Sequence, residues 1–349
     1  MSLLDWFRRP RQRAAIRARL PSQPASAATA VADVPPPAAD VELDETTEPG
    51  WWEPRGTPVL VAPPPHDALT ADDIAVCAHL QRVLENAELD LPMLPQIAQR
   101  ALVKLQDQNV DFRELATLIG EDQAISAEVL RVVNSAAYAR LFKVNQLDAA
   151  FTRLGAAQLR SLLVAMTLKG MAIRIGGPVR SLGEELWQRS IVSAVLVSDL
   201  SRTRGIPEGE AFLVGLLHDI GNLAILRLLH DWQRTQGGSV SRGLFERLSH
   251  TWHQPLGARL AEAWRLPVPL PAIVGDHHRA PAPEDPLAGH RLLVQFADVV
   301  CALLSYGPYV PYDFFALPCT QALEITDTPP TRAWLIALPA LIAERAGVF

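Results

Sequence analysis

The chain has 349 residues, enough for one large domain or two of ordinary size. A hydrophobic share of 49% and a charged share of 20% are those of an ordinary globular protein, and a net charge of −6 excludes the basic balance of a general nucleic-acid binder. The three cysteines, Cys77, Cys301 and Cys319, are far apart and form no CxxC, which excludes a disulfide framework and a thiolate zinc site.

Such cysteine usage fits a reducing compartment, so a cytoplasmic location is expected. The start of the chain lacks the residue order of a signal peptide. No continuous apolar run reaches the roughly 18 residues that suggest a membrane helix.

Residues 1–20, "MSLLDWFRRPRQRAAIRARL", combine Leu3, Leu4, Trp6 and Phe7 with six arginines between Arg8 and Arg19. A basic amphipathic segment of this kind suits an anionic membrane surface or a partner protein, and equally a solvated tail. Pro10 limits its helical continuity. Residues 21–68 are rich in Pro and Ala, as in "VPPPAAD" and "VAPPPHD", and carry a short acidic run. Few of these residues could build a core, so a disordered linker is expected, with Trp51 and Trp52 as exceptions that dock on the folded part or on a partner.

From residue 69 to 349 the pattern is helical. "TADDIAVCAHLQRVLENAEL" opens on the cap-like Thr70 followed by acids. "QIAQRALVKLQDQ" repeats its apolar residues every three or four positions. "LRSLLVAMTLKGMAI" and "LWQRSIVSAVLVSDLSRTRGI" are long and apolar enough to be buried helices. Breakers at Leu91-Pro92, Gly176-Gly177-Pro178 and Pro267 to Pro271 divide the segments. No alternating strand pattern appears. An all-α, multi-helix bundle is therefore expected, with two lobes at 69–176 and 184–349.

Within this apolar background, "GLLHDIGNLAI" places His218 beside Asp219. A buried ionisable pair costs several kcal/mol unless something satisfies it. Adjacent residues on a helix point about 100° apart, so both could reach one ion at a helix crossing. His253 precedes Gly257 by one turn, and that glycine would let a neighbouring helix approach. His277 and His278 form a second pair, at a helix end where partial exposure is expected, and Asp298 is a lone charge in "VQFADVVC". Imidazole and carboxylate donors suit Fe, Mn, Zn or Mg. The same residues would also serve as a satisfied polar knot, and both readings stand.

The helical region resembles the HDOD family, the HD-related output domain of bacterial signalling proteins. The likeness begins at "LPMLP" (Leu91 to Pro95) and runs through "LATLIGEDQAISAEVLRVVNSAAYAR". There Asn134, Ser135 and Tyr138 match an Asn-Ser-x-x-Tyr pattern. It continues in "LGAAQLRSLLVA", in "LWQRS" with Trp187, in "AFLVGLLHDIG" and in "HQPLGARLAEAWRLP", and reaches "DHH" at Asp276 to His278. In all it spans roughly Leu84 to Leu304. Gln123 stands where the family usually has proline, a departure that concerns a helix start.

The resemblance implies an HD-like helical bundle and a role in signal transduction. Metal-dependent HD relatives use a first histidine, a His-Asp pair, further histidines and a late aspartate. His218 and Asp219 match the pair, and His253, His277, His278 and Asp298 the later positions. The first histidine is replaced by Arg189, which offers no lone pair to a cation. The Gly-Tyr-Pro motif of the cyclic di-GMP phosphodiesterases is replaced by "HHRAPAPEDPLAG". Two functions are therefore weighed. One is a regulatory module that binds a signalling protein, or a cyclic dinucleotide or other nucleotide, with a degenerate site and no cofactor. The other is a divalent-metal phosphohydrolase acting on a nucleotide or phosphodiester. Nucleic acid is not an expected partner, because Arg131, Arg140, Arg153 and Arg160 are scattered among acids.

Overall fold

The computed structural model describes residues 51–52, 70–85, 91–107, 109–135, 143–237, 240–282, 284–304 and 313–349. Residues 1–20, the rest of the expected linker and Tyr138 lie outside them. The helices are α1 (Ala71–Glu85), α2 (Gln96–Lys104), α3 (Phe112–Gly120), α4 (Gln123–Val133), α5 (Leu147–Ile173), α6 (Arg180–Leu200), α7 (Glu208–Leu217), α8 (Gly221–Gln236), α9 (Arg242–Ala263), α10 (Leu270–Asp276), α11 (Ala288–Leu303), α12 (Pro318–Ala322) and α13 (Pro329–Ala346). The fold is all-α, and the described residues contain no strand.

The helix starts follow from local chemistry. Thr70 and Asp73 close a reciprocal cap on α1: the Asp73 backbone N–H donates to Thr70 Oγ1, and Thr70 N–H and Oγ1 donate to Asp73 Oδ2. Asp73 is buried and its Oδ1 also accepts from Ser241 N–H. Burial opposes its charge, but the bonds from Ser241 and Thr70 prevail and hold the carboxyl below its usual range. At α4, Asp122 is the N-cap and accepts from Ala124 and Ile125 N–H. Gln123 is then the first helical residue, a position that tolerates proline because its N–H has no intrahelical partner. The family departure there changes only a helix start.

The described residues divide into two compact units, one of residues 70–294 with Val348–Phe349, and one of Trp51 and Trp52 with residues 295–347. The expected lobe junction at Gly176 to Gly183 falls inside the first. In that larger unit α6 packs along α7, α8 along α9, and α9 along α10. Their facing residues are almost wholly apolar and buried: Ile191, Val192, Ala194, Val195 and Leu196 on α6, Leu213, Leu216 and Leu217 on α7, Leu223 to Leu226 on α8. The stretch Glu208–Gln236 has the length and hydropathy of a membrane span, but 89% of its most apolar window is buried within the fold. It is also broken at residues 218–220, between α7 and α8.

The smaller unit holds the pair of tryptophans that interrupts the expected linker. Trp52 is buried, and the Trp51 indole donates to the Leu335 carbonyl at 2.7 Å. Trp51 also meets Trp52 and Phe314 edge-on, and Phe296 and Trp334 extend the aromatic cluster. These tryptophans therefore dock on the folded chain. All three cysteines are free and buried.

Candidate functional site

His218 and Asp219 do not lie inside one helix, as the sequence pattern suggested. α7 ends at Leu217 and α8 begins at Gly221. Between them the backbone stays near helical, but its bonds switch from i−4 to i−3 partners: Ile220 N–H donates to Leu217, Asn222 to Asp219 and Leu223 to Ile220. This tightened turn projects the pair sideways into the helix packing.

Gly221 explains why the turn comes so close to α9. A Cβ there would stand 1.8 Å from the His253 carbonyl oxygen and 2.7 Å from Gly257 N. Only glycine allows that approach. Gly257 is the matching surface on α9, and a Cβ on it would meet Val274 of α10 at 2.5 Å. The expectation that Gly257 lets a neighbour approach thus holds on two sides. Together these contacts bring His253 and the end of α10 to the His-Asp turn.

Three imidazoles converge on Asp219. His218 Nε2 lies 3.6 Å from Oδ2, His277 Nε2 3.6 Å from Oδ1, and His253 Nε2 3.8 Å from Oδ1. Each ring is oriented from behind by a backbone carbonyl: His218 Nδ1 by Gly215 O at 2.8 Å, His253 Nδ1 by Ser249 O at 2.5 Å, and His277 Nδ1 by Val274 O at 3.1 Å. A neutral imidazole that donates from Nδ1 turns a bare Nε2 lone pair forward, the arrangement that metal-ligating histidines use. His278 Nε2 lies 3.1 Å from His253 Nε2 and donates to it in that tautomer. Ser249 also donates to Asn222 Oδ1 at 2.6 Å, tying the turn to α9 a second time.

Burial separates the histidine pair. His277 is completely buried, against the expectation of partial exposure, because its ring turns inward to Asp219; His278 is exposed. Nitrogens of His253, His277 and His278 all lie within 4.8 Å of one another.

Arg189 meets the same carboxylate from α6, with Nε 3.2 Å from Asp219 Oδ2. Its flanking residues Trp187 and Ser190 are buried, which fixes the face of α6 that it occupies. Burial opposes charge on Asp219. The Arg189 guanidinium, then His218, His277 and His253, overcome that and hold the carboxyl well below the usual carboxylate range.

Asp298 lies on the part of α11 that belongs to the smaller unit. There its charge helps to raise the thiol pKa of Cys319, although burial of the thiol is the larger cause. Asn134 caps α4 and exchanges bonds with the Val144 backbone, so this motif position is structural. Arg131 is taken up by Glu128 and the Val348 carbonyl, and Arg160 donates to the Leu105 carbonyl.

Two features escaped the sequence reading. His290 is buried and bonded to Glu210 at 2.7 Å. Arg291, also buried, holds Asp276 and Asp285. The only signal for the second was a lone arginine opening an apolar helix.

An all-α domain that gathers a His-Asp turn and three further histidines is of the HD-like class. Residues 91–280 match the HDOD domain family model. That is more than half of the chain, and the protein belongs to the HDOD family. An uncharacterized protein of Treponema pallidum (strain Nichols) is 24% identical over 257 residues; the match covers 68% of this chain and 48% of that protein, so the chain spans about half of its relative. Among solved structures, the "Putative metal-dependent phosphohydrolase" of Shewanella amazonensis SB2B is 21% identical with a TM-score of 0.58, covering 78% of this chain and 100% of its own. An HDOD domain protein with unknown function from Geobacter sulfurreducens is 22% identical with a TM-score of 0.56, at 80% and 98% coverage. The "Putative signal transduction protein" of Marinobacter aquaeolei VT8 is 20% identical with a TM-score of 0.53, at 79% and 66% coverage. These likenesses establish a shared fold.

Proposed function

We propose that this protein is a regulatory HDOD module that acts by binding, and that its HD centre is degenerate. The observation that carries this reading is the Arg189–Asp219 contact at 3.2 Å. A guanidinium fixed about 5 Å from a divalent ion repels it by roughly 6 kcal/mol at an effective dielectric near 20. Arg189 is partly exposed, so screening and side-chain movement reduce that figure. The remainder still weakens metal binding, while the same cation neutralises the buried carboxylate without metal. The signal-transduction description of the Marinobacter aquaeolei VT8 structure agrees with a regulatory role. The partner we propose is another signalling protein, a cyclic-dinucleotide enzyme or a kinase, with a nucleotide ligand as the alternative.

A second reading is favoured by the histidines and by the description of the Shewanella amazonensis SB2B structure. His253, His277 and His278 present the donor set of a borderline divalent cation, and the rings of His253 and His277 are oriented from behind by backbone carbonyls as at metal sites. They would hold such an ion on the Oδ1 side of Asp219, and it would supply Lewis acidity there to a phosphoryl oxygen or a water. The Oδ2 side, where Arg189 sits, does not fit a second one.

Elemental analysis of protein purified without chelator, with a phosphodiesterase assay, separates the two. The binding module contains well under one metal per chain and shows no turnover, and Arg189→His raises its metal content. Stoichiometric metal in the wild type, with turnover lost in Asp219→Ala, would establish the enzyme instead.

A further inference from the structure

The turn that carries His277 and His278 is clamped from outside the site. Arg291, in the first turn of α11, is 2% exposed. Its Nε and Nη2 both donate to Asp276 Oδ1, at 3.0 and 2.7 Å, and its Nη1 donates to Asp285 Oδ2. Arg279 closes the ring, with Nη2 2.9 Å from Asp285 Oδ2 and Nη1 3.5 Å from Asp276 Oδ2. Asp285 Oδ1 accepts from Leu287 N–H at 2.9 Å. That backbone bond first, and then the two arginines, outweigh desolvation and bring the Asp285 carboxyl down to about 2.

This clamp is unfavourable as packing alone. A buried cation carries a desolvation cost, and the first turn of a helix repels positive charge. Apolar residues of similar volume at such sites are often as stable or more so. What the clamp does accomplish is geometric. Asp276 is the residue immediately before His277, and Arg279 the one immediately after His278. The two histidines are thus bracketed by members of the same ion network. His277 is held further by burial, but His278 is exposed, so burial does not set its ring. Its Nε2 stands 3.1 Å from His253 Nε2, on a backbone turn that Asp276 and Arg279 bracket.

We infer that Arg291 is a positioning residue: through Asp276 and Asp285 it sets where His277 and His278 present their ring nitrogens. This rests on the reading that the histidine cluster is the ligand-facing part of the domain. It adds a cationic support about fourteen residues away in sequence, drawn from a different helix. Partners bonded directly to a ligating imidazole change metal affinity by roughly 10–100-fold when removed, and Arg291 acts one bond further out, so up to about 10-fold is expected of it.

The test uses the full chain, Arg291→Met, Arg291→Lys and Asp276→Asn, with two readouts. One is NMR of the imidazole nitrogens; the other is calorimetric titration with Zn2+. Arg291→Met should average the His278 and His253 ring signals, leave those of His218 in place, and weaken Zn2+ binding by up to about 10-fold. Arg291→Lys, which keeps the charge and loses the fork, should fall between. A folded Arg291→Met protein with unchanged His253 and His278 signals overturns the inference. If wild type takes up no Zn2+, the metal-facing reading fails by itself, and the ring signals still decide the positioning role. If Arg291→Met does not fold, Asp276→Asn decides: averaged His278 signals support the inference and unchanged ones overturn it.

Discussion

The two oxygens of Asp219 face different chemistries. Oδ2 meets the Arg189 guanidinium at 3.2 Å and His218 Nε2 at 3.6 Å, whereas Oδ1 looks toward the Nε2 atoms of His277 and His253 at 3.6 and 3.8 Å. One side holds a permanent cation beside an imidazole, and the other meets imidazoles alone. On the function proposed above, the carboxylate is split into a half taken up by Arg189 and a half that faces candidate ligands. In that proposal one position on α6 makes the difference, because arginine donates where a histidine would accept.

The broadest way to break this arrangement is to push its helices apart. Gly221→Ala places a Cβ within 1.8 Å of a backbone oxygen, which no side-chain rotation relieves. It should cost about 3 kcal/mol or more in chemical denaturation and disturb both halves together. A cost near zero would mean that α8 and α9 are not in contact there.

Removing either partner of the ion pair separates the halves. Arg189→Met leaves the buried Asp219 carboxylate without its cation and should cost about 2–3 kcal/mol. Asp219→Ala leaves only the partly exposed Arg189, whose head can turn to water, and should cost about 1 kcal/mol. Equal costs for the two variants would show that Asp219 is not organised around the guanidinium.

The smallest effect is a pH dependence located away from the site. Asp73 has a folded pKa below its ordinary value, so it stabilises the fold fully above its unfolded pKa of about 3.9. That contribution disappears as pH falls through the folded value. The melting-temperature gap between wild type and Asp73→Asn should therefore be constant near neutrality and narrow below about pH 4. A gap that widens on acidification would contradict this sign. Because the group serves α1 and the start of α9, the change should leave the imidazole signals around Asp219 unaltered.

Much of this was readable along the chain. Helical periodicity, Thr70 as a cap and the breakers at Leu91-Pro92 and Gly176-Gly177 lie in local order, because caps and apolar faces act over three or four residues. The histidines and Asp219 were visible as polar residues in apolar surroundings, and Arg189 as a lone cation at a position set by its neighbours. By itself the sequence determined an all-α chain, the family it belongs to and the residue types available to a site.

Only the tertiary structure decided how those residues meet. The pairing of Arg189 with one oxygen of Asp219, the burial of His277 beside an exposed His278, and the Arg291 clamp each join residues from different helices. Helix crossings are set by side-chain packing over long sequence separations, which no local pattern encodes. Trp51 and Trp52 teach the same point from the smaller unit. Their surroundings in sequence are those of a linker, yet an indole bond to Leu335 and an aromatic cluster hold them. Burial of large rings is worth several kcal/mol wherever a partner surface exists, and that surface lies some 280 residues further along the chain.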